Sequence, residues 1–319
     1  MDAIMCALMN GTQWRLRHHA VTREQLEEYL QESEQHDHRS YYATPEDNRT
    51  LPAPEWRRKG SCLTWTSPMS DQYPENLTAC AHLYDTASPL GAPTIILLHA
   101  LMSANDFGYR RIAKRFNQEG WNVLFPHLPY HYSRTPQGYA NGALAITSDL
   151  IRNAESLRRS VIEIRQLIAW SRQRGSKRIA LLATSYGAWV ASIALSLERT
   201  DFTILLQPVA DVKHATFRSP ASRMMADSLK KNGISEESLD RHAHLSSPSR
   251  LTPLTPPERI LVIGGKYDRL SPSESLRSLC DSWGGAHYRE VDQGHFGYEA
   301  MRCALDHSGH YMNSAPLKS

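Results

Sequence analysis

Short, continuous apolar runs recur from Pro93 onward, and they constrain the fold more than any other feature of the sequence. Each run has four or five residues and is separated from the next by polar or helix-like sequence. Strands that are buried on both faces of a parallel sheet show this uninterrupted apolar pattern. The runs are Thr94–Leu98, Trp121–Phe125, Ile179–Leu182, Phe202–Leu206 and Ile260–Ile263. They predict five strands of one mostly parallel central sheet.

Helical patterns occupy the intervals between these runs. In the longest, from about residue 146 to 173, apolar side chains recur every three or four residues, as on one face of a helix. The other patterns are Asp106–Gln118, Tyr186–Glu198 and Ser273–Trp283. Strands that alternate with helices predict an α/β fold, with helices on both sides of the sheet. We assign residues 61–319 to this domain.

One interval is too long for a simple connection between strands. About 47 residues, from Asp211 to Pro257, separate two predicted strands, and they contain weak helical patterns at 222–231 and 235–244. An insertion of this length over a parallel sheet usually covers the ends of the strands. We therefore predict that residues 212–257 form a small inserted cap.

Residues 1–60 have a different pattern and are predicted to form an N-terminal extension of helix and loop. Thr22–Glu34 begins with a capping threonine and has two leucines four residues apart, which favours a short helix. Pro52 and Pro54 lie in a polar stretch that indicates a surface linker. Two runs rich in strand-forming residues then lead into the main domain, Cys62–Thr66 and Leu77–Tyr84.

Composition argues against several classes of protein. The 319 residues are 41% hydrophobic and 22% charged, with a net charge of +3, so the chain is expected to fold and not to bind nucleic acid. No apolar stretch approaches the roughly 18 residues of a membrane span. Asp2 stands where a signal peptide carries basic residues. Five cysteines without a C-x-x-C pair indicate reduced thiols, and together these signs favour a cytoplasmic location.

The segment around Ser185 carries the strongest sign of chemistry. Ser185 lies between a buried strand and an apolar helix, in a small-x-Ser-x-Gly pattern completed by Ala183 and Gly187. A sharp strand-to-helix turn projects such a serine, and the small flanking residues let the neighbouring elements pack closely. The backbone N–H of Tyr186 would then face a developing oxyanion at the helix N-terminus. Ser185 is therefore the candidate nucleophile.

A nucleophilic serine needs a base, and the base needs an orienting acid. Asp268 ends a glycine turn after a predicted strand, which brings it to the same sheet edge as Ser185. His295 follows 27 residues later in another turn. Asp211, which follows the strand before the predicted cap, is an alternative acid.

With these residues in this order, the sequence resembles the α/β-hydrolase fold superfamily over roughly residues 62–311. Within that superfamily it is most similar in pattern to serine esterases and lipases. The resemblance implies that Ser185 is the nucleophile, Asp268 the acid and His295 the base. It also implies an α/β-hydrolase fold with a mostly parallel central sheet flanked by helices, and a small inserted cap.

The resemblance further implies an oxyanion loop at His99–Met102. The backbone N–H groups of Leu101 and Tyr186 would be the two oxyanion donors. Two positions depart from the family's pattern. Ala183 replaces the first glycine of the serine motif, and Ala100 replaces the usual glycine after the histidine. Alanine tolerates positive φ less well than glycine, so the oxyanion loop is the site at which this sequence departs most from the family's pattern.

The candidate pocket residues rest on weaker signals. They are His99, Met102, Arg134, Met224 and Met225. The two methionines of the predicted cap are flexible apolar groups that suit an acyl chain, although they equally suit the cap's own core. Arg134, like Arg110 and Arg111, suits a substrate carboxylate, but such residues are more often paired with acids.

The 15 histidines raise the question of a metal site. Several occur in close pairs: His18 with His19, His36 with His38, and His242 with His244. No carboxylate or cysteine completes any pair at the spacing of a metal site. We therefore predict no metal ligand and no organic cofactor.

The predicted activity is hydrolysis of a small-molecule acyl ester through an acyl-enzyme on Ser185. The same triad serves thioesterases and acyltransferases, so those reactions remain alternatives. A non-catalytic binding protein that kept the fold is a further alternative, suggested by Ala100. The sequence does not determine the oligomeric state.

Overall fold

The computed structural model describes residues 1–103 and 105–314. Within these ranges the strands are β1 (Arg57–Lys59), β2 (Cys62–Thr66), β3 (Thr78–Tyr84), β4 (Thr94–Leu98), β5 (Asn122–His127), β6 (Ile179–Thr184), β7 (Phe202–Leu206), β8 (Ile260–Gly265) and β9 (His287–Val291). The helices are α1 (Asp2–Arg15), α2 (Arg23–Ser33), α3 (His38–Tyr41), α4 (Phe107–Gln118), α5 (Leu150–Gln173), α6 (Tyr186–Ala194), α7 (Arg223–Lys231), α8 (Glu236–Ser246), α9 (Ser273–Ser282) and α10 (Glu299–Asn313).

The described strands form one sheet in the order β1-β2-β3-β5-β4-β6-β7-β8-β9. From β5 to β9 all neighbouring strands are parallel, which confirms the predicted mostly parallel sheet. The edge from β1 to β3, including the β3–β5 pair, is antiparallel. In β2, buried residues alternate with less buried ones, the pattern of a strand with one covered face.

The apolar runs are strands because helices cover both faces of the sheet. In β4, Ile95 and Leu97 belong to the core cluster that also contains residues of α4 and α10. Ile96 and Leu98 point the other way, into the cluster with residues of α5, α6 and α9. Alternate side chains of a strand face opposite sides of the sheet, so a strand covered on both sides must be apolar throughout.

The N-terminal segment packs against helix α5 and against residues 212–257, the predicted cap. Tyr41 and Tyr42 are buried in the same core cluster as α5. The buried guanidinium of Arg165, on α5, donates to Asp47 Oδ2 at 2.6 Å and to the carbonyl oxygen of Tyr42 at 2.7 Å. Through these contacts the N-terminal segment is packed onto α5.

The predicted helix boundaries differ from the structure in places. Thr22 caps α2 as predicted, accepting from the N–H of Gln25 at 3.2 Å. The sequence did not predict α1 or α10, which lie at the two ends of the described chain. The helix after Ser185 ends at Ala194 and not at Glu198.

The inserted segment 212–257 contains a π-helical turn at His214–Arg218, followed by α7 and α8. Helix α1 lies against it. The side chain of Asn10 donates to the carbonyl oxygen of Pro220 at 2.8 Å and accepts from the N–H of Met224 at 2.9 Å. Two segments that are more than 200 residues apart in sequence are thereby joined over the same side of the sheet.

Gly187 is required where α6 crosses β4. A Cβ atom at this position would lie 2.5 Å from the carbonyl oxygen of His99 and 2.8 Å from Leu98 Cβ. We expect Gly187→Ala to lower the free energy of unfolding by about 1–3 kcal/mol, because the strand backbone cannot move away without strain. Urea unfolding measures this change. The control is Gly309→Ala in α10, where, apart from its chain neighbours and the nearby backbone of the helix itself, no atom of the described residues lies within 4 Å of the added methyl group. Equal stability of the two variants would contradict the prediction.

Candidate active site

Ser185 occupies a strained turn between β6 and α6. Its φ of 52° and ψ of −113° lie in a region that side-chain-bearing residues rarely adopt. Two backbone hydrogen bonds hold the turn. The N–H of Ser185 donates to the carbonyl oxygen of Leu206 at 2.8 Å, and that of Gly187 donates to His99 at 3.1 Å. The adjacent strands β7 and β4 therefore fix the position of the serine.

The structure brings Ser185, His295 and Asp268 into one hydrogen-bonded chain. Ser185 Oγ lies 2.8 Å from His295 Nε2. On the other side of the ring, His295 Nδ1 lies 2.8 Å from Asp268 Oδ2. The other predicted acid, Asp211, instead accepts from the N–H of His214 at 2.9 Å, at the start of the cap. The geometry therefore pairs the histidine with Asp268.

The buried carboxylate of Asp268 is surrounded by donors. Its Oδ1 accepts from the backbone N–H groups of Leu270 at 2.8 Å and Ser271 at 2.9 Å. Its Oδ2 accepts from Gln207 Nε2 at 2.6 Å in addition to the histidine ring. Four donors satisfy both oxygens of a side chain that is fully buried, so the carboxyl group is held in one orientation.

Gln207 is a part of this network that the sequence did not reveal. It follows β7 directly and has a φ of 49°. Its Nε2 donates to Asp268 and to the carbonyl oxygen of Gly294 at 2.8 Å, while its Oε1 accepts from Gln293 Nε2 at 3.0 Å. Because donor and acceptor are both engaged, the amide has a single orientation. The available signal was a polar residue at the carboxyl end of a buried strand.

Asp2 is a second unpredicted neighbour of the site. Its carboxylate accepts from the backbone N–H of His295 at 2.8 Å and from that of Phe296 at 3.2 Å. Gly294 permits the approach, since a Cβ there would overlap the Asp2 carboxylate. The first turn of α1 is thereby attached to the loop that carries the histidine. No local signal in the sequence links residues 293 positions apart.

The predicted oxyanion loop lies beside Ser185. Leu101 and Tyr186 both line the cavity that contains the serine. Tyr186 is the first residue of α6, where the backbone N–H has no acceptor within the helix. Ala100 does not have a positive φ; that conformation falls on Met102, at 53°. The N–H of Ala100 donates to Tyr109 Oη at 3.0 Å. Alanine in place of glycine therefore introduces no strain here.

The cavity at Ser185 has a volume of about 580 Å³, within the range of small-molecule sites. Its walls come from the sheet edge, the cap segment, α1, α2 and α5. Of the predicted pocket residues, Met225 lines it. Both α1 and α2 thus contribute to a cavity that the sequence placed in the main domain and cap.

Structural comparison shows which known proteins share this architecture. The chain is similar to an acetyl xylan esterase from Thermoanaerobacterium sp. (13% identity, 93% of this chain and 96% of that one, TM-score 0.56). It is also similar to an esterase from Pyrococcus furiosus (16% identity, 84% and 94% covered, TM-score 0.51). A puromycin-hydrolysing peptidase from Mycobacterium tuberculosis matches 83% of this chain with 14% identity and a TM-score of 0.56, but the match spans only 40% of the peptidase. The chain has the α/β-hydrolase fold.

The likeness to α/β-hydrolases is one of structure. No protein-family model matches the sequence, and the comparison with curated proteins found no match. At identities of 13–16% the likeness establishes the fold and not the substrate. In the shared fold, the strand order places the ends of β6, β7 and β8 side by side, which brings Ser185, Gln207 and Asp268 to one edge.

Four residues predicted to face substrate do not line the cavity of this hydrolase fold: His99, Met102, Arg134 and Met224. The ring of His99 is fully buried and bridges two backbone groups. It donates from Nδ1 to Ala100 at 2.9 Å and accepts at Nε2 from the N–H of Leu128 at 3.1 Å. Burial holds the pKa of this ring well below its usual value. His99 is therefore a structural part of the loop.

Arg134 serves the interior and not a substrate. Its guanidinium is 1% exposed and forms a bidentate ion pair with Glu163 of α5, with distances of 2.6 Å and 2.9 Å. It also donates to the carbonyl oxygens of His127 at 3.0 Å and Asn76 at 3.2 Å. The prediction that Arg134 faces the substrate was wrong, because a local sequence pattern does not reveal an ion-pair partner 29 residues away.

In the described residues, no group of three or more histidine, cysteine, aspartate or glutamate side chains is placed to hold a metal ion. In the same part of the chain, no helix is long and apolar enough to cross a membrane.

Proposed function

We propose that this chain is a serine hydrolase that cleaves a carboxylic ester through an acyl-enzyme on Ser185. The observation that carries the proposal is the chain of contacts from Ser185 Oγ to His295 and from His295 to Asp268, each 2.8 Å long. Nucleophile, base and orienting acid at these distances are what acyl transfer requires. The structural likeness to esterases supports it.

In the proposed reaction, His295 Nε2 accepts the proton of Ser185 Oγ as the oxygen attacks the ester carbonyl. The carboxylate of Asp268 accepts from Nδ1–H and stabilises the imidazolium that forms. The N–H groups of Tyr186 and Leu101 bind the oxyanion, and each good donor contributes roughly 3–4 kcal/mol. His295 then protonates the leaving alcohol, which leaves Ser185 acylated. In the second half of the reaction His295 accepts a proton from the water that attacks the acyl-enzyme carbonyl, and it returns that proton to Ser185 Oγ as the carboxylic acid leaves.

A fluorophosphonate probe tests this proposal, because it reacts covalently with an activated serine. We expect the native chain to be labelled on Ser185, and Ser185→Ala to be unlabelled while giving a native circular dichroism spectrum. The matched control is Ser192→Ala in α6, whose hydroxyl only donates to the carbonyl oxygen of Ala188. This variant should label as the native chain does. Equal labelling of the folded native and Ser185→Ala chains, or none of either, would refute the proposal.

Asp2 is expected to position the catalytic loop. Asp2→Ala removes two charge-assisted hydrogen bonds to the backbone of the loop at His295, each worth about 1.5–3 kcal/mol. We expect kcat for a simple ester to fall at least about tenfold with little change in KM, since the substrate does not contact this carboxylate. Steady-state kinetics measures both parameters.

The control for Asp2 is Ile4→Ala, an exposed side chain two residues further along α1, which should leave kcat unchanged. Asp2→Asn keeps an acceptor oxygen and should recover part of the lost kcat. A loss of folding stability without a selective fall in kcat would show that Asp2 only attaches the helix.

A further inference from the structure

The described side chains that line the cavity around Ser185 include no carboxylate, ammonium or guanidinium group. There is no aspartate, glutamate, lysine or arginine among them, although 22% of the chain is charged. Burial lowers the pKa of His242, one of the lining side chains, to about 4, so this ring is neutral at pH 7. A charged ligand group entering this space would lose its hydration without gaining an ionic partner among these side chains, which is unfavourable.

Methionines dominate one wall of the cavity. Met1, Met5 and Met9 recur every four residues along α1, so they form a single stripe on the helix face that meets the cavity. Together with Met225 and Met301, five of the nine methionines of the chain line this space. Methionine side chains are unbranched and flexible, and they adapt to apolar ligands of varied shape.

The opposite part of the cavity is closed by α2, α5 and α8. Leu26 and Leu30 of α2, Leu157 of α5 and Leu239 of α8 all line it. The same helices also present polar side chains, namely Tyr29, Asn153, Ser238 and His242. Two of these are engaged within the protein: Tyr29 Oη donates to Glu155 Oε1 at 2.6 Å, and the side-chain amide of Asn153 is hydrogen-bonded to the backbone of Thr147. These described walls therefore combine aliphatic surface with neutral polar groups, and no carboxylate lines them.

We propose that this cavity holds the uncharged, aliphatic acyl chain of the substrate. We further propose that the methionine face of α1, formed by Met1, Met5 and Met9, limits the length of that chain. The inference rests on the proposed function, because it takes Ser185 as the atom to which the acyl group becomes attached. It assigns to the N-terminal helix a role in substrate selection.

The first test compares 4-nitrophenyl esters with acetyl, butyryl, hexanoyl, octanoyl and decanoyl chains on the native chain. Burial of one methylene contributes about 0.8 kcal/mol, which corresponds to about a fourfold gain in kcat/KM for each added carbon. We expect this rise until the cavity is full, followed by a fall. The highest kcat/KM for the acetyl ester, in a chain whose Ser185 reacts with fluorophosphonate, would overturn the inference and leave the proposed function intact.

The second test uses two neighbouring residues of α1, of which one lines the cavity and the other points into solvent. Met9→Trp adds bulk to the cavity wall, whereas Leu8→Trp adds the same bulk to a side chain that is 57% exposed. We expect the ratio of kcat/KM for the decanoyl and acetyl esters to fall at least tenfold in Met9→Trp and to be unchanged in Leu8→Trp. The same ratio in both variants would contradict a role for the methionine face.

The third test separates binding from chemistry. A series of 2-alkanones from six to twelve carbons supplies neutral probes that cannot be hydrolysed, and their binding to Ser185→Ala is measured by titration calorimetry. We expect Kd to fall about fourfold per methylene until the cavity is full. Chain-dependent binding in a protein that fails fluorophosphonate labelling would support the apolar site while refuting the hydrolase. A Kd independent of chain length would overturn the inference.

Discussion

Asp268→Asn is expected to lower kcat for ester hydrolysis by about 10³- to 10⁴-fold while KM changes little. The loss follows from the tautomer of His295. With the carboxylate present, Nδ1 carries the proton and Nε2 is free to accept one from Ser185 Oγ. An amide at position 268 can turn its own NH₂ group toward Nδ1, which then holds the proton on Nε2 and removes the base.

The surroundings of Asp268 make this substitution more severe than an exchange of oxygen for nitrogen alone. Oδ1 faces two backbone N–H groups, of Leu270 and Ser271, and Oδ2 faces Gln207 Nε2 and the His295 ring. In either orientation the new NH₂ group points at donors. We therefore expect a lower free energy of unfolding as well, by about 1–3 kcal/mol for the buried group left unsatisfied.

Asp211→Asn is the matched control, because Asp211 was the rival acid in the sequence and its Oδ1 only accepts from the N–H of His214. Asparagine keeps that acceptor, so kcat should be unchanged. Activity that survives Asp268→Asn and falls in Asp211→Asn would exchange the roles of the two acids and contradict the structural pairing.

A steep loss of stability below pH 6.5 is the second large effect that we expect. Burial, reinforced by nearby positive charge, lowers the pKa of His127 to about 3 and those of His131 and His242 to about 4, from 6.5. All three rings are buried. Between pH 6.5 and about 4, the unfolded chain therefore binds protons that the folded chain does not, and the free energy of unfolding falls as the pH falls.

Each histidine in this window contributes a slope of about 1.4 kcal/mol per pH unit, so these three alone give a loss of about 4 kcal/mol between pH 6 and pH 5. Burial also lowers the pKa of His99, and that of His38 to about 4, which steepens the loss further. Urea unfolding at a series of pH values measures the slope. His242→Gln should reduce it by the share of one histidine, about 1.4 kcal/mol per pH unit, whereas His287→Gln, at an exposed position on β9, should not. Equal stability at pH 7 and pH 5 would show that these rings are protonated in the folded chain.

The parts of the fold that the sequence predicts are those that produce a pattern among neighbouring residues. The apolar runs of β4, β6, β7 and β8 predicted parallel strands because a strand covered on both faces needs apolar residues at every position. The small residues around Ser185 marked a strand-to-helix turn, and the structure has that turn, with Gly187 against β4. The order of serine, acid and histidine predicted three side chains that the structure places in hydrogen-bond contact.

Other features depended on which distant segments meet. Arg134 carries a charge that suits a substrate, but the fold buries it against Glu163. Ala100 looked unfavourable for the oxyanion loop, yet the positive φ falls two residues later, on Met102. Neither outcome is encoded in neighbouring residues, because each is decided by packing against another element.

The sequence by itself determined the α/β architecture and predicted Ser185, Asp268 and His295 as the candidate triad, since periodicity, turn composition and chain order are properties of the sequence. Only the tertiary structure decided that α1 forms part of the site, with Asp2 on the loop of His295 and a methionine face along the cavity. The physical reason is that the sheet order and the docking of residues 1–60 bring together side chains almost 300 positions apart, and no local pattern records such a contact.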